Sequence, residues 1–181
     1  TICASMVWVL LAVYAKQNYG IPERLYGFIP ATNAIMVVAL QIFITRRTKK
    51  HPSIPVVAFG ALFYAIVAIM IGLGNGYWAF WLAMVVMTIG ELIMVPTAST
   101  LAANLAPADK RGRYMSIHGM TWGLSQGIGP LMGGFLSDTF SVHAPWYGAG
   151  VIAFISVFLY LWLNRRLKHN GINPEIPISS A

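Results

Sequence analysis

The stretch TIGELIMVPTAS, residues 88–99, places one carboxylate, Glu91, among apolar side chains. On a helix, Glu91 would lie about 21 Å from Tyr77 and about 18 Å from Ala103, near the centre of an otherwise uncharged run. An ionised acid at the centre of a membrane costs about 2.5–3.5 kcal/mol. Neutralising a glutamate at pH 7 costs a similar amount, about 3.7 kcal/mol. A modest change in hydration could therefore load or unload a proton, which is the chemistry of a proton-coupling site.

The same region also has a purely structural interpretation. Glu91 could stay protonated, or bond to a neighbouring helix and only hold a bundle together. Pro96 cannot donate a backbone hydrogen bond, so it predicts a bend five residues beyond Glu91. That bend could serve as a hinge or as the wall of a binding site, although membrane helices tolerate proline without a functional role.

A second set of polar side chains shares one face of the run 113–137. Positions 118, 122, 125 and 129 follow helical spacing, and Thr121 flanks them. A histidine there titrates near physiological pH, and a tryptophan can stack on an aromatic or cationic ligand. Interhelical hydrogen bonding is the alternative for these polar groups. The candidates for a substrate cavity are Asn33, Thr88, His118, Trp122, Ser125 and Gln126.

Small residues on the same run favour close packing between helices. Gly119, Gly123 and Gly127 recur every fourth residue, and Gly129 repeats that spacing with Gly133. Glycines at this spacing let helix backbones approach each other closely in membranes. With Pro130, they predict a kinked helix that can rock against a partner, and static packing is the alternative.

These residues must be positioned by helices that lie in a membrane. The chain is 57% hydrophobic and 9% charged over 181 residues, whereas an ordinary soluble domain is roughly 25% charged. Uncharged runs of about 18 residues are long enough to cross a bilayer, and in lipid such runs must be helical. The sequence predicts an all-α bundle within residues 1–164, with helices at about 1–15, 25–45, 54–74, 77–103, 113–137 and 144–164.

The sequence also allows a prediction for each end of the chain. At about 1.5 Å per residue, the first run spans only about 22 Å of a hydrocarbon core about 30 Å thick. We therefore expect a truncated first helix and a chain that is a fragment of a longer protein. Residues 165–181 are polar and contain Pro174 and Pro177, so they are predicted to be a disordered tail.

Basic residues occupy alternate connections between the predicted helices. Arg46 and Arg47 lie in one, the group Lys110, Arg111 and Arg113 lies in the next, and three more begin the tail. The positive-inside rule assigns these connections and the C-terminus to the cytoplasm. We expect a multi-pass protein of the plasma membrane, here a bacterial inner membrane. The net charge of +7 follows this rule without a nucleic-acid motif, so no nucleic-acid partner is predicted.

Signatures of catalysis are not found in the sequence. It contains no HExxH, GxSxG, P-loop or CxxC motif, and its five acidic residues are widely scattered. The four histidines lack the spacing of metal ligands. We therefore predict no enzyme, no cofactor and no metal site.

Three stretches together resemble helices 10 and 11 of the major facilitator superfamily. They are GELIMVP (90–96), LAPADKRGRYMS (105–116) and GIGPLMGGFLSD (127–138). With the hydropathy pattern, they make the chain similar to the C-terminal half of such transporters, helices 7–12, and to bacterial drug/proton antiporters in particular. The pairing of Glu91 with Pro96 also resembles the proton-coupled oligopeptide transporters, in which such a glutamate lines the central cavity.

One stretch departs from the superfamily pattern. The connection between helices 8 and 9 often resembles G-x-x-x-D-R-x-G-R-R, and here it reads QIFITRRTKKHP (41–52), without the Gly and the Asp. An Asp-based gating salt bridge is therefore not expected in this connection. Its basic residues can still meet lipid phosphate or acidic groups.

The resemblance implies alternating access, in which two six-helix halves rock about a central site. Glu91 would accept the proton or bind a cationic substrate. The implied partners are the lipid bilayer, protons, a small-molecule substrate and a missing N-terminal half. The first hypothesis is proton-coupled efflux of small molecules or drugs. The alternatives are proton-coupled import of sugars, peptides or organic anions, and a membrane receptor or scaffold that transports nothing.

Overall fold

The computed structural model describes residues 1–170, in which six long helices and one short helix follow each other without a β-strand. This confirms the predicted all-α class. A 3-10 turn at Ala108–Lys110 precedes the sixth helix. The helices are α1 (Ile2–Tyr19), α2 (Glu23–Tyr26), α3 (Phe28–Thr48), α4 (Ser53–Leu73), α5 (Tyr77–Asn104), α6 (Arg111–Thr139) and α7 (Ala144–His169).

Hydropathy and length identify four membrane-crossing candidates among the described residues. They are Glu23–Thr48, which joins α2 to α3, then Ser53–Leu73, Tyr77–Asn104 and Ala144–His169. A helix satisfies its own backbone hydrogen bonds, which is the requirement that lipid imposes on each span. The apolar runs of the sequence therefore become helices that a membrane can hold.

Several helices extend beyond the predicted hydrophobic runs, and α1 and α7 extend furthest. Helix α1 continues past residue 15 to Tyr19, and Gly20 then adopts φ +62°. The N–H of Gly20 donates to the carbonyl of Lys16, and the N–H of Ile21 donates to the carbonyl of Ala15. A left-handed conformation of this kind favours glycine and ends the helix. Helix α7 continues to His169, so the first residues of the predicted tail are helical. Residues 171–181 of that tail lie outside the described residues.

Helix α4 lies at the centre of the bundle and packs on α5 and α7. Helix α3 packs on α5, and α1 packs on α6. The core is apolar, and the bulkiest side chains that it buries completely are Trp146, Phe80, Met6, Leu11 and Ile29.

The α4–α5 contact depends on two glycines that face each other. A Cβ added at Gly60 would lie 2.7 Å from the Cβ of Met94, and one added at Gly90 would lie 2.6 Å from the Cβ of Phe63. Each added Cβ would also lie 3.1 Å from a backbone oxygen of the facing helix. The two backbones therefore cross closely, at the residue next to Glu91.

The glycines of α6 divide into two groups. Gly129 and Gly133 face α1, where an added Cβ would meet Ser5 and Leu10 respectively. Gly119, Gly123 and Gly127 have no atom within 4 Å of an added Cβ among the described residues. Close packing was predicted for both groups. Against residues 1–170 it is observed at Gly129 and Gly133 and not at the other three glycines, which lie on a different face of the helix.

Neither proline interrupts its helix. Pro96 lies inside α5, and Pro130 lies inside α6. The bends that these residues predict stay predictions.

A methyl group added at the α4–α5 crossing should destabilise the fold. For Gly90→Ala we expect a loss of about 1–3 kcal/mol in the free energy of unfolding, because the new Cβ meets the Cβ of Phe63 and a backbone oxygen. Gly134→Ala is the matched control, since no atom lies within 4 Å of its added Cβ and alanine favours a helix by up to about 1 kcal/mol. Thermal unfolding of the purified protein in detergent measures both. An unfolding midpoint of Gly90→Ala at or above that of Gly134→Ala would contradict the close crossing.

Candidate functional site

Glu91 forms a polar cluster with Asn33 and Thr88 across the α3–α5 interface. Asn33 Nδ2 donates to Glu91 Oε2 at 2.9 Å and to Thr88 Oγ1 at 3.0 Å. The hydroxyl of Thr88 donates in turn to the carbonyl of Met84 at 2.8 Å. Asn33 and Thr88 are buried, whereas Glu91 is half-buried. The cluster therefore joins the buried amide of Asn33 to the half-buried carboxyl of Glu91.

The packing of α5 explains why Glu91 meets α3. Gly90 occupies the α4 side of α5, and the next residue of a helix points about 100° away. Thr88 and Glu91 are three residues apart, so they lie on one face and reach the same amide. A second polar contact joins the helices, because Trp81 Nε1 donates to Thr32 Oγ1 at 2.9 Å. The register between α3 and α5 is thus held at two neighbouring positions of α3.

The chemistry of an amide suits a carboxyl in either protonation state. The NH2 group of Asn33 donates to the carboxylate, and an amide carbonyl can accept a hydrogen bond from the O–H of a carboxylic acid. An amide carries no charge that would hold Glu91 ionised. The cluster can therefore accommodate the gain and the loss of one proton.

His118 and Trp122 lie in a second region, on the face of α6 that points into the bundle. With Thr121 they line a cavity of about 350 Å³. Its other lining residues include Cys3, Tyr64, Met94, Ala98, Ser156 and Tyr160. His118 Nε2 lies 3.3 Å from Ser99 Oγ, which joins α6 to α5.

The remaining candidates are separate from both regions. Ser125 is buried against α1, where its backbone carbonyl accepts a hydrogen bond from Ser5 Oγ at 2.6 Å. Gln126 is exposed on α6. The structure therefore brings Asn33 and Thr88 to Glu91. His118 and Trp122 line a cavity elsewhere in the bundle, and Gln126 lies on the surface.

The basic candidates lie at the ends of helices. Arg46 and Arg47 are exposed in the last turn of α3. Lys110, Arg111 and Arg113 are exposed at the beginning of α6.

Three polar positions were not expected from the sequence. Ser5 and Ser99 each bond to α6, and Tyr64 buries a hydroxyl that has no hydrogen-bond partner among the described residues. Neither serine has a signal in the sequence, because isolated serines also occur where apolar helices need only a small residue. Tyr64 stands in an apolar run that contains no other strongly polar side chain, which is a weak signal.

Comparison with known proteins identifies the family to which this chain is similar. The model of the Major Facilitator Superfamily matches residues 1–177. A Na(+), Li(+), K(+)/H(+) antiporter of Planococcus maritimus is 28% identical over 78% of this chain and 33% of its own length. A multidrug resistance protein MdtH of Photorhabdus laumondii is 25% identical over 87% of this chain and 39% of its own length.

The fold has a counterpart among solved structures. A POT family transporter crystallised with a thioalcohol-conjugated peptide aligns with a TM-score of 0.61 and 22% identity. That alignment covers 75% of this chain and 30% of the transporter. The chain thus spans well under half the length of the relatives that it matches. It belongs to the Major Facilitator Superfamily of membrane transporters.

Proposed function

We propose that this chain forms part of a proton-coupled efflux transporter of small molecules, in which Glu91 is the group that gains and loses the proton. The observation that carries the proposal is the Glu91 carboxyl, half-buried near the middle of α5 and bonded to the Asn33 amide. The names of the relatives, an antiporter and a multidrug resistance protein, support this choice of activity.

Protonation would change the contact between α3 and α5. A hydrogen bond to a charged group contributes about 1.5–3 kcal/mol, whereas one between neutral groups contributes about 0.5–1.5 kcal/mol. Loading a proton onto Glu91 therefore weakens the bond from Asn33 and lowers the cost of separating the two helices. Coupling requires the proton and the substrate to favour different conformations, because a ligand with equal affinity for both shifts nothing.

The rest of the transporter would pack against the faces that this chain leaves open. Helix α3 exposes large apolar side chains, among them Ile35, Val38 and Phe43. Helix α6 buries only Ser125, Gly129 and Gly133 among its described residues. In the proposed arrangement a second six-helix half covers these faces, and the substrate lies between the halves. The basic ends of the helices face the cytoplasm of a bacterial cell.

A second candidate is exchange of protons for alkali cations. The name of the Planococcus maritimus relative, a Na(+), Li(+), K(+)/H(+) antiporter, favours it. Glu91, Thr88 and Asn33 all carry oxygen atoms, which are the ligands that hard cations prefer. This candidate differs from drug efflux in the transported species and keeps Glu91 as the shared site.

Removing the titratable group should abolish proton coupling. We expect Glu91→Gln to lose transport driven by a pH gradient, because a glutamine side chain cannot bind and release a proton. Glu91→Asp should retain part of it. The measurement is flux across proteoliposomes that contain the intact transporter, with an imposed pH gradient and with either a drug or Na+ as the test solute.

Two comparisons complete this experiment. Glu23→Gln removes an exposed carboxylate that pairs with Lys16, so it should transport like the parent. Efflux and import are distinguished by the direction in which the solute moves relative to the gradient. Undiminished pH-driven transport by Glu91→Gln would remove Glu91 from the mechanism.

Removing the amide should change the pH dependence of transport. In Asn33→Leu the carboxyl loses a donor whose bond contributes about 1–1.5 kcal/mol more to the charged form than to the neutral form, so the protonated form is favoured. At about 1.4 kcal/mol per pH unit, the midpoint of the transport profile should move upward by about one pH unit.

Gln41→Leu is the matched control for that variant. Gln41 is an amide on the same helix, but its side chain donates to Thr45 of α3 itself rather than to α5. Its transport profile should keep the midpoint of the parent. Equal midpoints for Asn33→Leu and Gln41→Leu would show that Asn33 does not act on the titrating group.

A further inference from the structure

The end of α3 and the beginning of α4 form a groove that the proposed transport mechanism does not use. Helix α3 packs on α5 rather than on α4, and this leaves space of about 390 Å³ beside the connection 49–52. We name this space the α3–α4 groove. Among its lining residues are Arg47, Thr48, His51, Val56, Phe59 and Ile93.

The mouth of the groove is basic, because Arg47 and His51 line it. Arg46, Lys49 and Lys50 lie within three residues of Arg47 along the chain, and all four of these cations are exposed. Among residues 1–170, the structure contains one ion pair, Lys16 with Glu23, so these four cations have no acidic partner there. The mouth therefore presents positive charge that no carboxylate of the described chain neutralises.

Below the mouth, the groove becomes apolar. Phe59 lies about 9 Å along α4 from Ser53 and is 55% exposed. Val56 is half-buried on the same side, and the buried side chain of Ile93 on α5 also lines the space. The groove thus combines cations at a helix end with hydrocarbon contacts deeper in the membrane.

We propose that the α3–α4 groove binds an anionic phospholipid, with its phosphate at Arg47 and His51 and an acyl chain along Val56 and Phe59. Charge complementarity and position select this occupant. Basic pockets between membrane helices recognise anionic headgroups, and apolar surface at bilayer depth is covered by acyl chains. A free phosphate would fill only the mouth and would leave Phe59 uncovered.

A tryptophan introduced at Phe59 would report on the occupant directly. In the intact transporter, Phe59→Trp is reconstituted with phosphatidylglycerol or phosphatidylcholine that carries brominated acyl chains, which quench nearby tryptophan fluorescence. Subtracting the signal of the parent removes the contribution of the native tryptophans. We expect phosphatidylglycerol to bind at least about fivefold more tightly than phosphatidylcholine, since one basic residue near an anionic headgroup contributes about that factor.

Charge variants decide whether the mouth is responsible. In the Phe59→Trp background, Arg47→Gln should lower the preference for phosphatidylglycerol by about fivefold. Arg165→Gln removes an equal charge from the exposed end of α7 and should leave the preference unchanged. Raising the ionic strength should weaken the preference of Phe59→Trp itself, because salt screens exposed charges.

Four outcomes would overturn the proposal. Three are equal quenching by both lipids, equal loss of preference in Arg47→Gln and Arg165→Gln, and no quenching by either lipid, which would indicate that protein covers the groove. The fourth is displacement of the lipid by phosphate. Inorganic phosphate added at the same concentration as phosphatidylglycerol should not displace the lipid, and full displacement would instead assign the mouth to free phosphate. None of these results depends on Glu91, so the transport proposal is tested separately.

Discussion

The close crossing of α4 and α5 at Gly60 and Gly90 determines the direction in which the side chain of Glu91 points. A side chain at either position would collide with the facing helix, so α5 can approach α4 only with Gly90 turned towards it. The rotation of α5 about its own axis is thereby restricted. Glu91, the next residue, is directed to α3, where a buried amide meets it. The packing of α5 on α4 at Gly90 therefore also fixes the position of the carboxyl group at the next residue, Glu91.

This dependence also explains which parts of the site could be predicted from the sequence. A lone acid in the middle of an apolar run is visible without a structure, and so is the amide of Asn33. Their pairing is not visible, because it depends on the relative rotation of two helices. Gln41, an equally plausible amide on the same helix, bonds to Thr45 within α3 instead. Composition cannot distinguish these two amides, since both are polar groups in an apolar span.

The polar face of α6 also shows what helical spacing can and cannot predict. Helical spacing correctly groups His118, Trp122, Ser125 and Gly129 on one face, but it does not say what that face meets. In the structure the face points into the bundle, where Gly129 allows α1 to approach and His118 reaches Ser99. The sequence also predicts earlier ends for α1 and α7 than the structure shows. Hydropathy marks the stretch that prefers lipid, whereas backbone hydrogen bonds continue through polar residues until Gly20 or Asn170.

The partner of Glu91 is consistent with a group that changes its protonation state. A lysine or arginine at position 33 would hold the carboxylate charged, because separating a buried ion pair costs several kcal/mol. An apolar residue there would leave the charged form without a donor. Asparagine lies between these extremes, since it lowers the cost of the charge and can also accept a hydrogen bond from the neutral acid. The described cations with no acidic partner in the structure lie instead at helix ends, where water and lipid headgroups can neutralise them. Among the described helices, the bundle therefore encloses one carboxyl group, Glu91, whose charge the amide stabilises without making it permanent, which is what the proposed proton coupling demands.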